Sequence, residues 1–379
     1  MRIAILTLPL HVNYGGILQA YALQTILQHM GHEVFLYDTP FPGEHKLKKA
    51  PNQWDILRDT VLFWKKKTNS QPHFSIPKRE IYIRRYITRF LYEHFKLCQL
   101  SVYQEDDNIE GIVVGSDQIW RPLYFPTISL AYLSFTKDWN NIRRVAYACS
   151  FGTDTPEYNT KQIAECGALI SQFDAVSVRE ESMIPLIQQK FGWQCTPQFV
   201  LDPTLLLSAD EWRELCAKYP VSTQTSDRDK KLFTYLLDST PEKKEITSFI
   251  ARELSTIPYT QTDLPPENDN KWNKNDYAPV ESWLHAFNQA SYVLTDSFHG
   301  CVFSILFNKP FVVICNQERG AARFHSLLKL FKLTDRLLST IDSDSIRKLI
   351  KQPINWETVN QIIIEKRQES LEFLKKSLS

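Results

Sequence analysis

Short apolar runs alternate with longer amphipathic stretches along most of the chain, and the alternation predicts strands and helices in turn. Ile3 to Thr7 reads as a strand, Leu8 to Gly16 as a loop and Ile17 to Met30 as a helix. A stop at Gly31-His32 and a strand from Val34 to Tyr37 complete a βαβ unit. Strand patterns return in "GIVVGSDQIW", "RRVAYACSFG" and "FDAVSVREES", with helical text between the last two. Together these predict a Rossmann-like first domain ending near Phe199. "KLFTYLLDSTPEKKEITSFIARELS" reads as strand, capped turn and helix in a second unit. "SYVLTDSFHGCVFSILFNKPFVVI" adds a strand (Tyr292 to Thr295), a helix (Cys301 to Phe307) and a strand (Phe311 to Ile314), with Ser297 as helix cap and Asn308-Lys309-Pro310 as stop. The polar stretch "QTDLPPENDNKWNKNDYAP" is a loop, and the chain closes on a charged amphipathic helix from about Trp356.

The fold class this predicts is α/β, with two Rossmann-like domains facing across a cleft. The first spans 1–199 with a basic helical insertion at about 41–100, the second spans 200–355, and the helix at 356–379 packs back on the first domain. No repeat of solenoid length and no low-complexity tract interrupts this scheme.

Composition narrows the function classes. The length of 379 residues suits two domains, and 43% hydrophobic and 23% charged residues are those of an ordinary globule. A formal charge of +1 gives no global signal for nucleic acid. The opening "MRIAILTLPL" is too short to cross a bilayer and runs into a glycine turn, so it reads as a strand rather than a signal peptide, and a cytoplasmic location is expected. Seven scattered cysteines without a CxxC pair read as reduced thiols in or near the core, with no metal cage. One local bias stands out: Lys46, Lys48, Lys49, Lys65 to Lys67, Lys78, Arg79, Arg84, Arg85 and Arg89 lie among Trp54, Phe63, Trp64, Tyr82 and Tyr86. Such a run is either a solvated helical face or a peripheral contact with an anionic membrane surface or a phosphorylated carrier lipid.

The candidate chemistry lies where predicted strands end. In open parallel sheets ligands bind outside the carboxyl ends of strands, and helix starts there attract anions. "NYGGILQAY" (Asn13 to Tyr21) places Asn13, Tyr14, Gly15 and Gly16 at the first such end, where small residues let a helix start approach a ligand's oxygens; a tight turn accounts for one glycine more easily than two, which favours ligand contact. "VVGSDQIW" brings Ser116 and Asp117 to a strand tip, with Asp117 either capping a helix from Gln118 or serving as a base. "SVREES" ends a strand on Arg179, suited to a two-point grip on a carboxylate or phosphate, or to ion pairs with Glu180 and Glu181. "ERGAARF" carries Arg319 and Arg323 toward the same edge. Ser297, Phe298 and His299 open the late helix, where the helix dipole favours a neutral, proton-accepting ring; the plainer reading is a histidine bonded to a nearby carbonyl. Gly300 would let a ligand approach the backbone. HExxH, GxSxG and Walker patterns are absent, and no DxD pair is found that would hold a divalent metal beside a nucleotide. One histidine, one aspartate, up to three arginines and two helix starts fit a small, doubly anionic ligand.

In these residues the sequence resembles the polysaccharide pyruvyl transferase family. The likeness rests on "NYGGILQAYALQ", "GSDQIW", "AYACSFG", "VSVREESM", "LDPTLLL" and "TDSFHGCVFSILFNKPF", in this order from Ile3 to about Phe331. The resemblance implies a fold like the B-type (GT-B) glycosyltransferases, phosphoenolpyruvate as donor substrate, and as acceptor a sugar of a bacterial polysaccharide or lipid-linked glycan precursor, on which a pyruvate ketal is built without a cofactor or metal. By matching position it implies His299, Asp117 and Arg179 as catalytic residues. Many members carry an arginine two residues before the histidine, where this chain has Ser297. The donor's anionic groups would then fall to Arg179, Arg319, Arg323 or Lys309. A second active-site histidine of some members has no counterpart in "YACSF". Two rivals share the cleft: a GT-B glycosyltransferase using a nucleotide sugar, and a non-catalytic protein that binds a phosphorylated metabolite.

Overall fold

The computed structural model describes residues 1–37, 84–98, 109–155, 157–194, 196–219, 231–264, 277–315, 320–338 and 342–379. In the first half, β1 (Arg2–Leu6), α1 (Tyr14–His29) and β2 (Glu33–Leu36) are followed by α2 (Arg85–His94), β3 (Gly111–Gly115), β4 (Arg143–Cys149), α3 (Thr160–Ile170), β5 (Ala175–Val178), α4 (Met183–Phe191) and β6 (Gln198–Phe199). The second half runs α5 (Ala209–Ala217), β7 (Lys231–Tyr235), α6 (Pro241–Leu254), β8 (Ile257–Tyr259), α7 (Val280–Gln289), β9 (Tyr292–Thr295), α8 (Phe298–Leu306), β10 (Phe311–Ile314), α9 (Ala322–Leu330), β11 (Leu337–Leu338), α10 (Ser343–Lys351) and α11 (Trp356–Ser377).

Two parallel sheets result, in the orders β2-β1-β3-β4-β5-β6 and β11-β10-β9-β7-β8. Every residue of β3, β9 and β10 is buried, as expected of parallel strands covered by helices on both faces. Local capping chemistry sets the helix starts. Asn159 with Gln162 and Ser208 with Glu211 form capping boxes on α3 and α5, and Thr240 accepts from the Lys243 amide while Pro241 opens α6.

One hydrophobic core joins the two halves. Tyr14 of α1 stacks on Trp283 of α7 at 5.8 Å and donates its hydroxyl to the Ala278 carbonyl at 2.9 Å, while Tyr21 meets Trp212 of α5. Separate clusters around Trp120 and around Leu232 and Ile250 fill the outer faces of the first and second sheets. The last helix returns to the first half: Ser370 accepts from the Leu201 amide, and Phe373 packs on Tyr147 of β4.

Two local expectations need correction. The helix α1 begins at Tyr14, three residues earlier than the apolar pattern predicts, because a glycine-containing first turn carries no hydrophobic periodicity, whereas α8 starts at Phe298 behind its Ser297 cap as expected. No helix starts at Gln118; Ser116 to Trp120 form turns and Asp117 takes a left-handed φ of 61°. Most of the basic segment, Lys46 to Arg79 with Trp54, Phe63, Trp64 and Tyr82, lies outside the described residues, as do Arg319 and Cys195. Of its described part, Arg84 is buried and Arg89 is turned inward to the buried Glu281 at 2.6 Å. Six cysteines among the described residues are unpaired thiols, four of them buried. Among the described residues no helix is long and apolar enough to cross a membrane.

Both sheets reverse direction once. In the first, the chain steps from β1 to β2 and then to β3 on the other side of β1; in the second it steps from β7 to β8 and then to β9 on the other side of β7. Such switch points leave a crevice at the carboxyl ends of the flanking strands.

Candidate active site

The two switch points open on one cavity of about 480 Å³. From the first sheet, the loop after β1 contributes His11 and Asn13, and the turn after β3 contributes Asp117 and Gln118. From the second, Tyr235 and Leu237 end β7, and Ser297, Phe298 and His299 follow β9. Arg323 of α9 completes the floor, while Leu8, Pro9, Val12, Leu123 and Tyr124 form an apolar wall. Two helices, α1 and α8, therefore start at this cavity, and Asn13 leaves its side chain out of the helix cap while Ser297 accepts from the Gly300 amide at 3.4 Å.

Beneath the cavity lies a buried ionic cluster. Arg179 donates from Nη1 to Asp202 Oδ2 at 2.6 Å and from Nη2 to Asp117 Oδ1 at 3.1 Å, with Glu180 3.6 Å from Nε. Its guanidinium stacks over Phe298 at 4.3 Å. Arg323 lies 3.6 Å from Asp117 and 5.3 Å from the same phenyl ring. Asp202 Oδ1 accepts from the Thr204 amide and hydroxyl at 3.0 and 2.7 Å, and its Oδ2 stands 3.5 Å from His299 Nε2.

Electrostatics sorts these groups. Burial alone would raise the Asp117 carboxyl, but Arg179, His299 and Arg323 outweigh it and hold the group below its usual range. Asp202 is likewise held low against its burial by His299, Arg179 and Thr204. Burial dominates at Glu180 and raises its pKa despite Arg179. Burial, with repulsion from Arg179, pushes Arg323 down to about 10, so it stays cationic at neutral pH in a place that suits an added anion.

The remaining sequence candidates fall in different places. Gly15 supports His299 rather than a ligand: a methyl group built on it would lie 2.6 Å from His299 Cβ and closer still to Cγ and Nδ1. Gly16 faces Asn13, and Gly300 packs on Thr295, whose Cβ would lie 3.0 Å from an added methyl. Tyr14 is used in the interdomain core. Ser116 is fully buried, its amide donating to Gln19 and its hydroxyl to the Ala148 carbonyl. Lys309 follows the far end of α8 and donates to the Asn288 carbonyl at 2.7 Å, away from the cavity. Arg179 does not line the cavity and meets its ligands as a buried ion pair.

Two residues escape the sequence reading. Asp202 sits in "LDPT", where an acid before proline at a strand exit is a turn signal and a possible cap at once; it caps the short turn Pro203–Leu205. His11 lies in the loop after β1, where its position just before the glycine motif was the available signal. Arg84 Nη1 bonds its Nε2, and burial followed by the charge of Arg84 lowers its pKa to about 4.

A sequence model of the polysaccharide pyruvyl transferase family matches residues 13–318. The chain belongs to this family. The match takes in every cavity-lining element from Asn13 through α8 and stops before Arg323. Among solved structures, the glycotransferase of kitacinnamycin superposes with a TM-score of 0.51 at 13% identity over 100% of this chain and 99% of its own. The UDP-GlcNAc 2-epimerase from Neisseria meningitidis, bound to UDP-GlcNAc, gives 0.51 at 10% identity over 100% and 99%. At such identities the likeness shows the fold alone, and that fold is GT-B. A comparison with curated proteins returns no match.

Proposed function

We propose that this pyruvyl transferase takes its pyruvyl group from phosphoenolpyruvate and builds a ketal across two hydroxyls of a sugar in a bacterial polysaccharide or lipid-linked glycan precursor. The observation that carries the reading, beyond family membership, is the convergence of His299, Asp117 and Arg323 with two helix starts in one cavity between the sheets. The donor carries a carboxylate and a phosphate, which the protonated Arg323 and the helix starts of α1 and α8 suit.

The chemistry requires a proton at C3 of the enol ether, attack of one sugar hydroxyl at C2 with loss of its proton, and attack of the second hydroxyl as phosphate leaves. Asp117 is held ionised by its arginine neighbours and can therefore receive a hydroxyl proton but not supply one. The acid is then assigned to His299, because His11, the second histidine lining the cavity, has its pKa lowered to about 4 and is uncharged at neutral pH. Each such group contributes roughly 10²–10⁴-fold to rate. Arg179 acts from below by keeping Asp117 and Asp202 charged and in place. No step requires a metal.

The test is phosphate release from phosphoenolpyruvate in the presence of candidate glycans, with mass spectrometry of the acceptor. Phosphate release that depends on acceptor, with a gain equal to pyruvic acid less water, is the expected result. Consumption of a nucleotide sugar instead, or tight binding of the donor without turnover under any acceptor, would overturn it.

A further inference from the structure

His299 and Arg179 come from different halves of the molecule, yet one carboxylate touches both. Asp202 has four lone-pair directions: Oδ1 takes the two Thr204 donors, and Oδ2 takes Arg179 Nη1 at 2.6 Å and leaves one direction toward His299 Nε2 at 3.5 Å. The imidazole is 4% exposed, and its Nε2 is buried without a hydrogen-bond partner among the described residues. A buried ring nitrogen left so is costly unless a partner closes on it, and active-site hydrogen bonds commonly shorten once ligand is bound. The ring lines the cavity, with its Nδ1 and Cγ side next to Gly15. The ring is thus held between a carboxylate and the first turn of α1.

We propose that Asp202 is a positioning residue that holds the Nε2 proton of His299 and so makes Nδ1 the nitrogen that exchanges a proton with substrate. A carboxylate accepts only, so the neutral ring next to it keeps its hydrogen on Nε2 and its lone pair on Nδ1. The same oxygen holds Arg179, which in turn holds Asp117; acid and base are therefore aligned through one fixed anion. The low pKa of the Asp202 carboxyl supports this, because the group stays an acceptor throughout the neutral range.

The decisive variant is Asp202→Asn. Thr204 presents two donors to Oδ1, so the amide oxygen settles there and the NH₂ takes the place of Oδ2. That NH₂ gives up the bond from Arg179 Nη1, donates to His299 Nε2 and drives the ring to the Nδ1–H tautomer, so the tautomer rather than the rate is the reading specific to His299. Nitrogen-15 spectra of the imidazoles at alkaline pH, with His299 assigned by its loss in His299→Ala, should show Nε2–H in the wild type and Nδ1–H in Asp202→Asn. The kinetic part, which rests on the pyruvyl-transfer reading, should show kcat lowered by roughly 10²–10⁴-fold with KM for phosphoenolpyruvate little changed. An Nδ1–H ring in the wild type overturns the inference even if the variant fails to fold. Wild-type kcat in a folded Asp202→Asn overturns it too. If the wild type releases no phosphate, the functional reading fails while the tautomer still decides the role of Asp202.

Discussion

Replacing Gly15 with alanine tests the link between the glycine motif and the late histidine. The added methyl would sit 2.6 Å from His299 Cβ and nearer still to the ring, where ordinary carbon contacts need about 3.5–4.0 Å. The ring must therefore retreat by about 1 Å, away from α1 and against Asp202. A misplacement of that size costs roughly 10²-fold in rate. In stability, alanine in a helix gains about 1 kcal/mol over glycine, while overpacking a filled site costs about 1–3 kcal/mol, so a net loss of up to about 2 kcal/mol is expected. The assay is a double-mutant cycle by chemical denaturation with His299→Ala, read together with turnover. Once the ring is gone only the contact with the retained Cβ is left, and Gly15→Ala should be clearly less destabilising than in the wild type, a coupling of about 1–3 kcal/mol. Equal effects of Gly15→Ala in both backgrounds, or wild-type turnover in the single variant, would refute the argument that Gly15 is there to seat His299.

Arg179→Met removes the guanidinium that three buried carboxyl groups face, and should lower unfolding free energy by about 3–5 kcal/mol in urea titrations; a loss below about 1 kcal/mol would mean the cluster is far less desolvated than its geometry implies. Stability should also fall as pH drops from 6.5 toward 4, because His11 and His94 are lowered from 6.5 to about 4 by burial first, so in that window the unfolded chain binds protons that the folded one refuses. Neither ring is sealed from water, so solvent screens part of the effect. His94→Gln should flatten the dependence of melting temperature on pH in that window, and an unchanged slope would assign the acid sensitivity elsewhere.

Much of this architecture is legible in the chain itself. Runs such as "GIVVG" and "FVVI" are apolar throughout because parallel strands are covered on both faces, and the turn residues at Gly31, Thr240 and Ser297 mark where helices stop or start. From these the two parallel α/β units follow, and with them the expectation that Asn13, Asp117 and His299 stand at strand ends. Which partner each side chain meets there is another matter. Periodicity reports which face of an element is buried, and says nothing about what buries it. That Gly15 faces a histidine from the other half and that Asp202 holds Arg179 and His299 together depends on how two sheets pack through one shared core. Arg179 shows the difference best: the sequence marks a cation at a strand end, but only the packing of Asp117, Glu180 and Asp202 around it makes it a buried counter-ion, because burial makes pairing with those carboxylates decisive.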